Sequence, residues 1–277
     1  MKNFLLRTLT GLVYVTVITG GILANSYTFL ALFSVVTVFC LREFYGLINA
    51  QKRTRIHPWY NCLGGLLLFV STYLYASGVT SHVVFLAYLA YAVIVFISEL
   101  YEKQQDPITH SACIFLGHCY ITLPLAMLNM LAFSAGDDGD IHYSPVLILA
   151  LMVFIWMNDT GAYMVGSAFG KHRLFERISP KKSWEGFFGG LLLAVASSLV
   201  FARFTPEILY YHWMGMAMAV AVFGAWGDLT ESLIKRTLDV KDSGKILPGH
   251  GGFLDRFDSL LLAVYAMLFY VQLFILH

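Results

Sequence analysis

Apolar residues along this chain come in long blocks separated by short polar breaks. Nine such blocks fall at approximately 5–24, 28–48, 59–77, 82–99, 111–133, 145–165, 186–204, 212–230 and 259–277. A bilayer core roughly 30 Å thick needs about 20 apolar residues of helix, and unpaired backbone in hydrocarbon excludes most alternatives. The pattern therefore predicts an all-α, polytopic membrane protein with about nine transmembrane helices. The first block is expected to be a retained helix and not a cleaved signal, because no clear small-x-small site closes it and more apolar blocks follow. At the head of the seventh block, Gly186, Gly189 and Gly190 predict close helix packing.

Composition supports the same solvent. Of 277 residues, 58% are hydrophobic and 13% charged, where a soluble domain carries about 25% charged residues. A chain so poor in charge cannot cover its surface with polar groups, so a lipid bilayer is its first expected partner. The net charge of +1 argues against a nucleic-acid binder relying on a global basic field. Cys40, Cys62, Cys113 and Cys119 show neither C-x-x-C nor zinc spacing and read as small apolar fillers.

The distribution of charge fixes an orientation. With the N-terminus in the cytoplasm and the nine segments alternating, seventeen of the eighteen Lys and Arg residues fall on the inner side, and only Arg203 falls outside. That division is what the positive-inside rule requires. Long inner loops then lie at 166–185 and 231–258, and the polar chemistry concentrates in a C-terminal half (141–277), distinct from N-terminal membrane helices (1–140).

Carboxylates at membrane depth are expensive unless paired or bound to a cation, and so mark functional candidates. Asp159 lies deep in the sixth segment, Asp228 at the inner end of the eighth, and Asp255 and Asp258 enter the ninth. A spacing of three predicts that the last two share one helix face. Hard cations such as Mg²⁺ take one or two carboxylates plus substrate phosphates. Lys235, Arg236, Lys241 and Lys245 beside them can hold phosphate oxygens, and Gly249-His250-Gly251-Gly252 offers backbone N–H groups to an anion. In the other loop, Ser179-Pro180 breaks the chain, Ser183 can cap the seventh segment, and Lys181 and Lys182 can meet a triphosphate or anionic lipid. The plainer readings are structural ion pairs for the aspartates, local hydrogen bonding of Asp159 by Asn158 and Thr160, and topogenic roles for Lys171 and Arg173. His250 fits loop fixing or phosphate binding better than general-base work, since a phosphate monoester is already anionic near neutral pH. Together these residues point to phosphoryl or nucleotidyl transfer.

The run Ser232-x-Ile234-Lys235-Arg236-x4-Lys241-Asp242-x-Gly244-x2-Leu247-Pro248-x-His250-Gly251-Gly252-Phe253-x-Asp255-Arg256-Phe257-Asp258 (232–258) resembles the signature of the phosphatidate cytidylyltransferases, the CDP-diacylglycerol synthases. Asp159-Thr-Gly-Ala-Tyr and Ser179-Pro-Lys-x-Ser-Trp-Glu-Gly resemble the same family, as does Arg42-Glu43-Phe44 more weakly. One departure is Ser167, where a basic residue is expected after Gly166. The resemblance implies a dimeric, all-helical membrane enzyme that uses Mg²⁺, with a second cation left open. Its metal ligands would be Asp228, Asp255 and Asp258. Catalytic candidates are Lys235, Arg236, Lys241, Asp242, His250 and Arg256, and substrate-binding candidates are Asp159, Ser179, Lys181, Lys182, Gly251 and Gly252.

The expected reaction joins CTP to phosphatidate, giving CDP-diacylglycerol and pyrophosphate, at the cytoplasmic face of a bacterial inner membrane. Two rivals stand beside it. One is a CTP-dependent enzyme acting on a related lipid or prenol phosphate. The other is an ion-coupled transporter, which should show inverted halves and midplane polar residues in several segments; the first five segments are nearly free of them.

Overall fold

The computed structural model describes residues 2–51, 55–102, 106–136, 139–244 and 251–275, with side chains from residue 9 onward. Its helices are α1 (Lys2–Ala24), α2 (Ser26–Ala50), α3 (Pro58–Ala76), α4 (His82–Ser98), α5 (Pro107–Ala132), α6 (Val146–Phe169), α7 (Trp184–Phe204), α8 (Tyr210–Thr237) and α9 (Asp258–Phe274). Each overlaps one of the apolar segments. By length and composition, α2, α5, α6, α7 and α8 are apolar enough to cross a membrane. The chain is thus an all-α membrane protein in its architecture. Lipid-facing character is plainest on α7, where only 17% of the most apolar stretch is buried and Phe188, Leu192, Leu199 and Phe204 stand exposed.

Local chemistry explains the breaks. Asn25 closes the α1–α2 turn with a capping box: its Oδ1 accepts from the Tyr27 and Thr28 amides at 2.9 Å, and Thr28 Oγ1 accepts from the Asn25 amide at 3.1 Å. Helix α5 contains a π turn over His118–Thr122. Pro124 follows it, and a proline lacks the N–H and crowds the carbonyl four residues back, so the wider turn accommodates it.

Two short hairpins were not foreseen from the sequence. One joins β1 (Phe133–Ala135) to β2 (Ile141–Tyr143), the other β3 (Arg173–Phe175) to β4 (Ser179–Ser183). Pro180, expected only to break the chain, lies within β4, where a two-stranded edge tolerates its missing donor.

The chain divides into two compact units, Met1–Pro145 with Asp242–Arg256, and Val146–Lys241 with Phe257–His277. In the first, α2 supplies the core through Phe29, Phe33, Phe44 and Tyr45, all fully buried. Tyr45 also donates its hydroxyl to the Ile114 carbonyl of α5 at 2.9 Å.

In the second unit, α6 and α7 cross at their glycines. A Cβ on Gly190 would sit 2.6 Å from the carbonyl oxygen and Oδ1 of Asn158, and one on Gly161 would sit 2.6 Å from the Gly189 carbonyl. Only hydrogen fits there, as the sequence predicted for this stretch, and the close crossing sets Asn158 and Asp159 against the start of α7.

Candidate active site

The second unit gathers the acidic residues. On α8, Asp228, Glu231, Ser232 and Lys235 fall at spacings of three and four, hence on one face. Ser232 Oγ donates to Asp228 Oδ1 at 3.2 Å, and Lys235 pairs with the buried Glu231. Helix α9 passes this face at Gly227, where a Cβ would lie 2.6 Å from the Asp258 carbonyl oxygen. The approach puts Asp258, the first residue of α9, in the electrostatic neighbourhood of Asp228, Glu231 and Asp159. Its place at a helix N-terminus favours a carboxylate, and Oδ1 accepts from the Ser259 amide.

The β3–β4 hairpin brings the cations. Ser183 caps α7 as expected, its Oγ accepting from the Gly186 amide at 3.2 Å. Just before it, Lys182 Nζ lies 2.6 Å from Asp228 Oδ2. Lys181, Lys182, Asp159 and Asp228 line one cavity of about 470 Å³, together with Ser167 and the apolar Phe187. That volume lies within the range of small-molecule sites. Glu185, in the first turn of α7, accepts from the Lys171 and His172 amides at 3.2 Å and so ties the hairpin's entry to the helix.

Of the other candidates in this unit, Ser179 pairs with Phe175 in the hairpin and is not part of the cavity lining. Arg236 is exposed, its Nη1 donating to the Val240 carbonyl at 3.4 Å. Asp239, two residues past the end of α8, has a φ of 53°, and Lys241 follows, exposed.

In the first unit, Asp255 is engaged by backbone: the Ser243 amide reaches Oδ1 and Oδ2 at 3.2 and 3.1 Å, and the Gly252 amide reaches Oδ2 at 2.7 Å. Asp242 and Arg256 are exposed, and Gly251 lies at the edge of the same loop. His250 and Lys245 lie outside the described residues.

Two differences from the sequence reading follow. Asp255 and Asp258 do not share a helix face, because Asp255 sits in a separate 3-10 turn (Leu254–Arg256) and α9 begins only at Asp258, after Phe257. In addition, two functional candidates were missed. Glu231 carried a signal, one turn beyond Asp228 and four residues before Lys235. Glu43 was singled out only within Arg42-Glu43-Phe44, with no role assigned, because its partners lie about 200 residues away.

Could these residues hold Mg²⁺? Among the described residues, no three His, Cys, Asp or Glu side chains are close enough to form a complete cage. Asp228 and Asp258 still provide an all-oxygen pair, which suits a hard cation that draws its other ligands from water and substrate phosphate.

Residues 5–274 match the family model described as the cytidylyltransferase family. A phosphatidate cytidylyltransferase of Bacillus subtilis is 45% identical over 134 residues, covering 48% of this chain and 50% of that protein. A phosphatidate cytidylyltransferase of Staphylococcus aureus is 30% identical over 259 residues, 92% of this chain and 94% of that protein. One from Staphylococcus haemolyticus is 30% identical over 257 residues, again 92% and 94%.

Proposed function

Because this chain belongs to the cytidylyltransferase family, we propose that its cavity of lysines and aspartates is where CTP and phosphatidate are joined. The chain makes CDP-diacylglycerol from CTP and phosphatidate, the activity named for its relatives over nearly their whole length. The observation that carries the site is the meeting of Lys181, Lys182, Asp159 and Asp228 around one cavity, with Asp258 beside Asp228.

In this reading a phosphate oxygen of phosphatidate attacks the α-phosphorus of CTP in line. A new P–O bond forms, the bond to the β-phosphate bridging oxygen breaks, and pyrophosphate leaves with the electron pair. The attacking monoester is already largely dianionic at neutral pH, so no general base is needed. Lys181 and Lys182 hold phosphate oxygens and neutralise charge that grows on the leaving group. Lys182 exchanges its contact with Asp228 for substrate. Asp228 and Asp258 would hold Mg²⁺, which would supply further neutralisation of the pyrophosphate, and the signature assigns Asp255 the same role. Lys235 and Arg236 serve the lipid phosphate, and the signature assigns Lys241, Asp242, His250 and Arg256 to catalysis as well. Nine membrane spans, a cytoplasmic N-terminus, a bacterial inner membrane and a homodimer belong to the same reading, supported by the charge division and the signature.

The test is pyrophosphate release by the detergent-purified protein. Release should require CTP, phosphatidate and Mg²⁺ together, and chelation should abolish it. Asp258→Asn should lower turnover by about a thousandfold or more, as loss of a charge-stabilising group does, while membrane insertion stays intact. Near-normal turnover in that variant overturns the metal-ligand role of Asp258. Release with another lipid phosphate in place of phosphatidate would keep the chemistry and move the substrate.

A further inference from the structure

Glu43 lies two turns before the end of α2, only 7% exposed. Ser243 Oγ and the Leu254 amide both donate to its Oε2 at 2.9 Å. Its Oε1 accepts no hydrogen bond among the described residues, and no lysine or arginine there pairs with it. A buried carboxylate is costly unless donors engage it, and here two donors from one distant segment converge on Oε2.

The surrounding chain is shaped to this group. Ser243, itself buried, also accepts the Asp255 amide on Oγ at 3.3 Å, while the Asp255 carboxylate takes the Ser243 and Gly252 amides. A Cβ at Gly252 would collide with Ser243 Oγ and Glu43 Oε2, and one at Gly244 with Glu43 Oε1. Both ends of the segment, 243–244 and 251–255, are thus drawn onto one carboxylate from α2.

We propose that Glu43 is a positioning residue for the signature segment: its carboxylate clamps the two ends together through Ser243 and Leu254 and thereby sets the place of Asp255. The consequence for catalysis rests on the reading of Asp255 as a metal ligand. The clamp itself does not, since it is drawn from contacts within one compact unit.

The full-length enzyme, its Glu43→Ala and Glu43→Gln variants and Asp255→Asn separate these points by amide hydrogen exchange and by the Mg²⁺ dependence of pyrophosphate release. In Glu43→Ala, exchange at Ser243, Gly252 and Leu254 should quicken by about tenfold or more, as expected for loss of charge-assisted bonds. Residues 210–237 should stay as protected as before. The Mg²⁺ concentration for half-maximal rate should rise by about tenfold, and Glu43→Gln, which keeps an acceptor oxygen, should restore most of both effects. The proposal is overturned if exchange is unchanged, if it rises evenly along the chain, or if activity falls with the Mg²⁺ dependence unmoved and the loop still protected. If the loop loosens as described but Asp255→Asn leaves the Mg²⁺ dependence unmoved, the clamp is supported and the ligand role of Asp255 is what fails.

Discussion

Lys182 holds Asp228 at 2.6 Å, while the proposed reaction assigns both groups to substrate and metal. A lysine on a short hairpin, bonded to a carboxylate at the wall of a cavity, is a stand-in cation that incoming phosphates can draw away. Replacing it with a chain of similar length and no charge separates these roles. Lys182→Met should raise the KM for CTP by about ten- to a hundredfold, in line with loss of one charge-assisted bond, and steady-state kinetics would measure it. An unchanged KM would assign Lys182 to Asp228 alone. Asp159 and Asp228 were legible in sequence because charge at membrane depth demands a reason, and Lys182 because it stands in a basic inner loop beside them. Asp255 and Asp258 were legible as residues but not as a pair, since spacing presumes a continuous helix and Phe257 stands outside α9. Glu43 was visible within Arg42-Glu43-Phe44, but its role was hidden because its bonds join points separated by 200 and 211 residues, and a single sequence carries no sign of such a pairing.

Among the elements, the α6–α7 crossing governs how the cavity wall is built. Its glycines fit backbone against backbone, so Gly190→Val should force the helices apart at Asn158. We expect a loss of stability of about 1–3 kcal/mol from overpacking and a loss of turnover beyond what stability explains, read from thermal unfolding and activity on the same sample. Gly20→Ala is the control, because a Cβ there meets nothing within 4 Å; it should leave turnover unchanged. Helices were the most legible elements, since each apolar block is long enough to declare itself. The β3–β4 hairpin was not, because its strand Ser179–Ser183 is short, holds a proline and two lysines, and owes its conformation to pairing with Arg173 and Phe175. Strand character imposed by a partner leaves little local trace.

For the whole molecule, the charge division makes an expectation about sidedness. Single cysteines replacing Asp140 and Arg177, in a chain stripped of its native cysteines, can be probed with a membrane-impermeant maleimide. Asp140→Cys should react in intact cells and Arg177→Cys only after permeabilisation; the reverse result would invert the proposed orientation. Sidedness is an expectation that a sequence can offer because it depends on summed charge and not on contacts. The division into units was not readable, because segment 242–256 groups with residues 1–145 despite the long stretch of chain between them.

That last grouping bears on how the protein is made. Ribosomes add about 5–20 residues per second, so residues 242–256 emerge on the order of ten seconds after the rest of the unit they complete. Throughout that interval the nascent α2 carries Glu43 without Ser243 or Leu254 to receive it. The N-terminal helices therefore wait in the membrane, inserted but unfinished, until a strip of late-synthesised chain returns to them. A message truncated before codon 242 would yield an assembly arrested at that stage, and quality-control proteases would meet it with Glu43 still unclaimed.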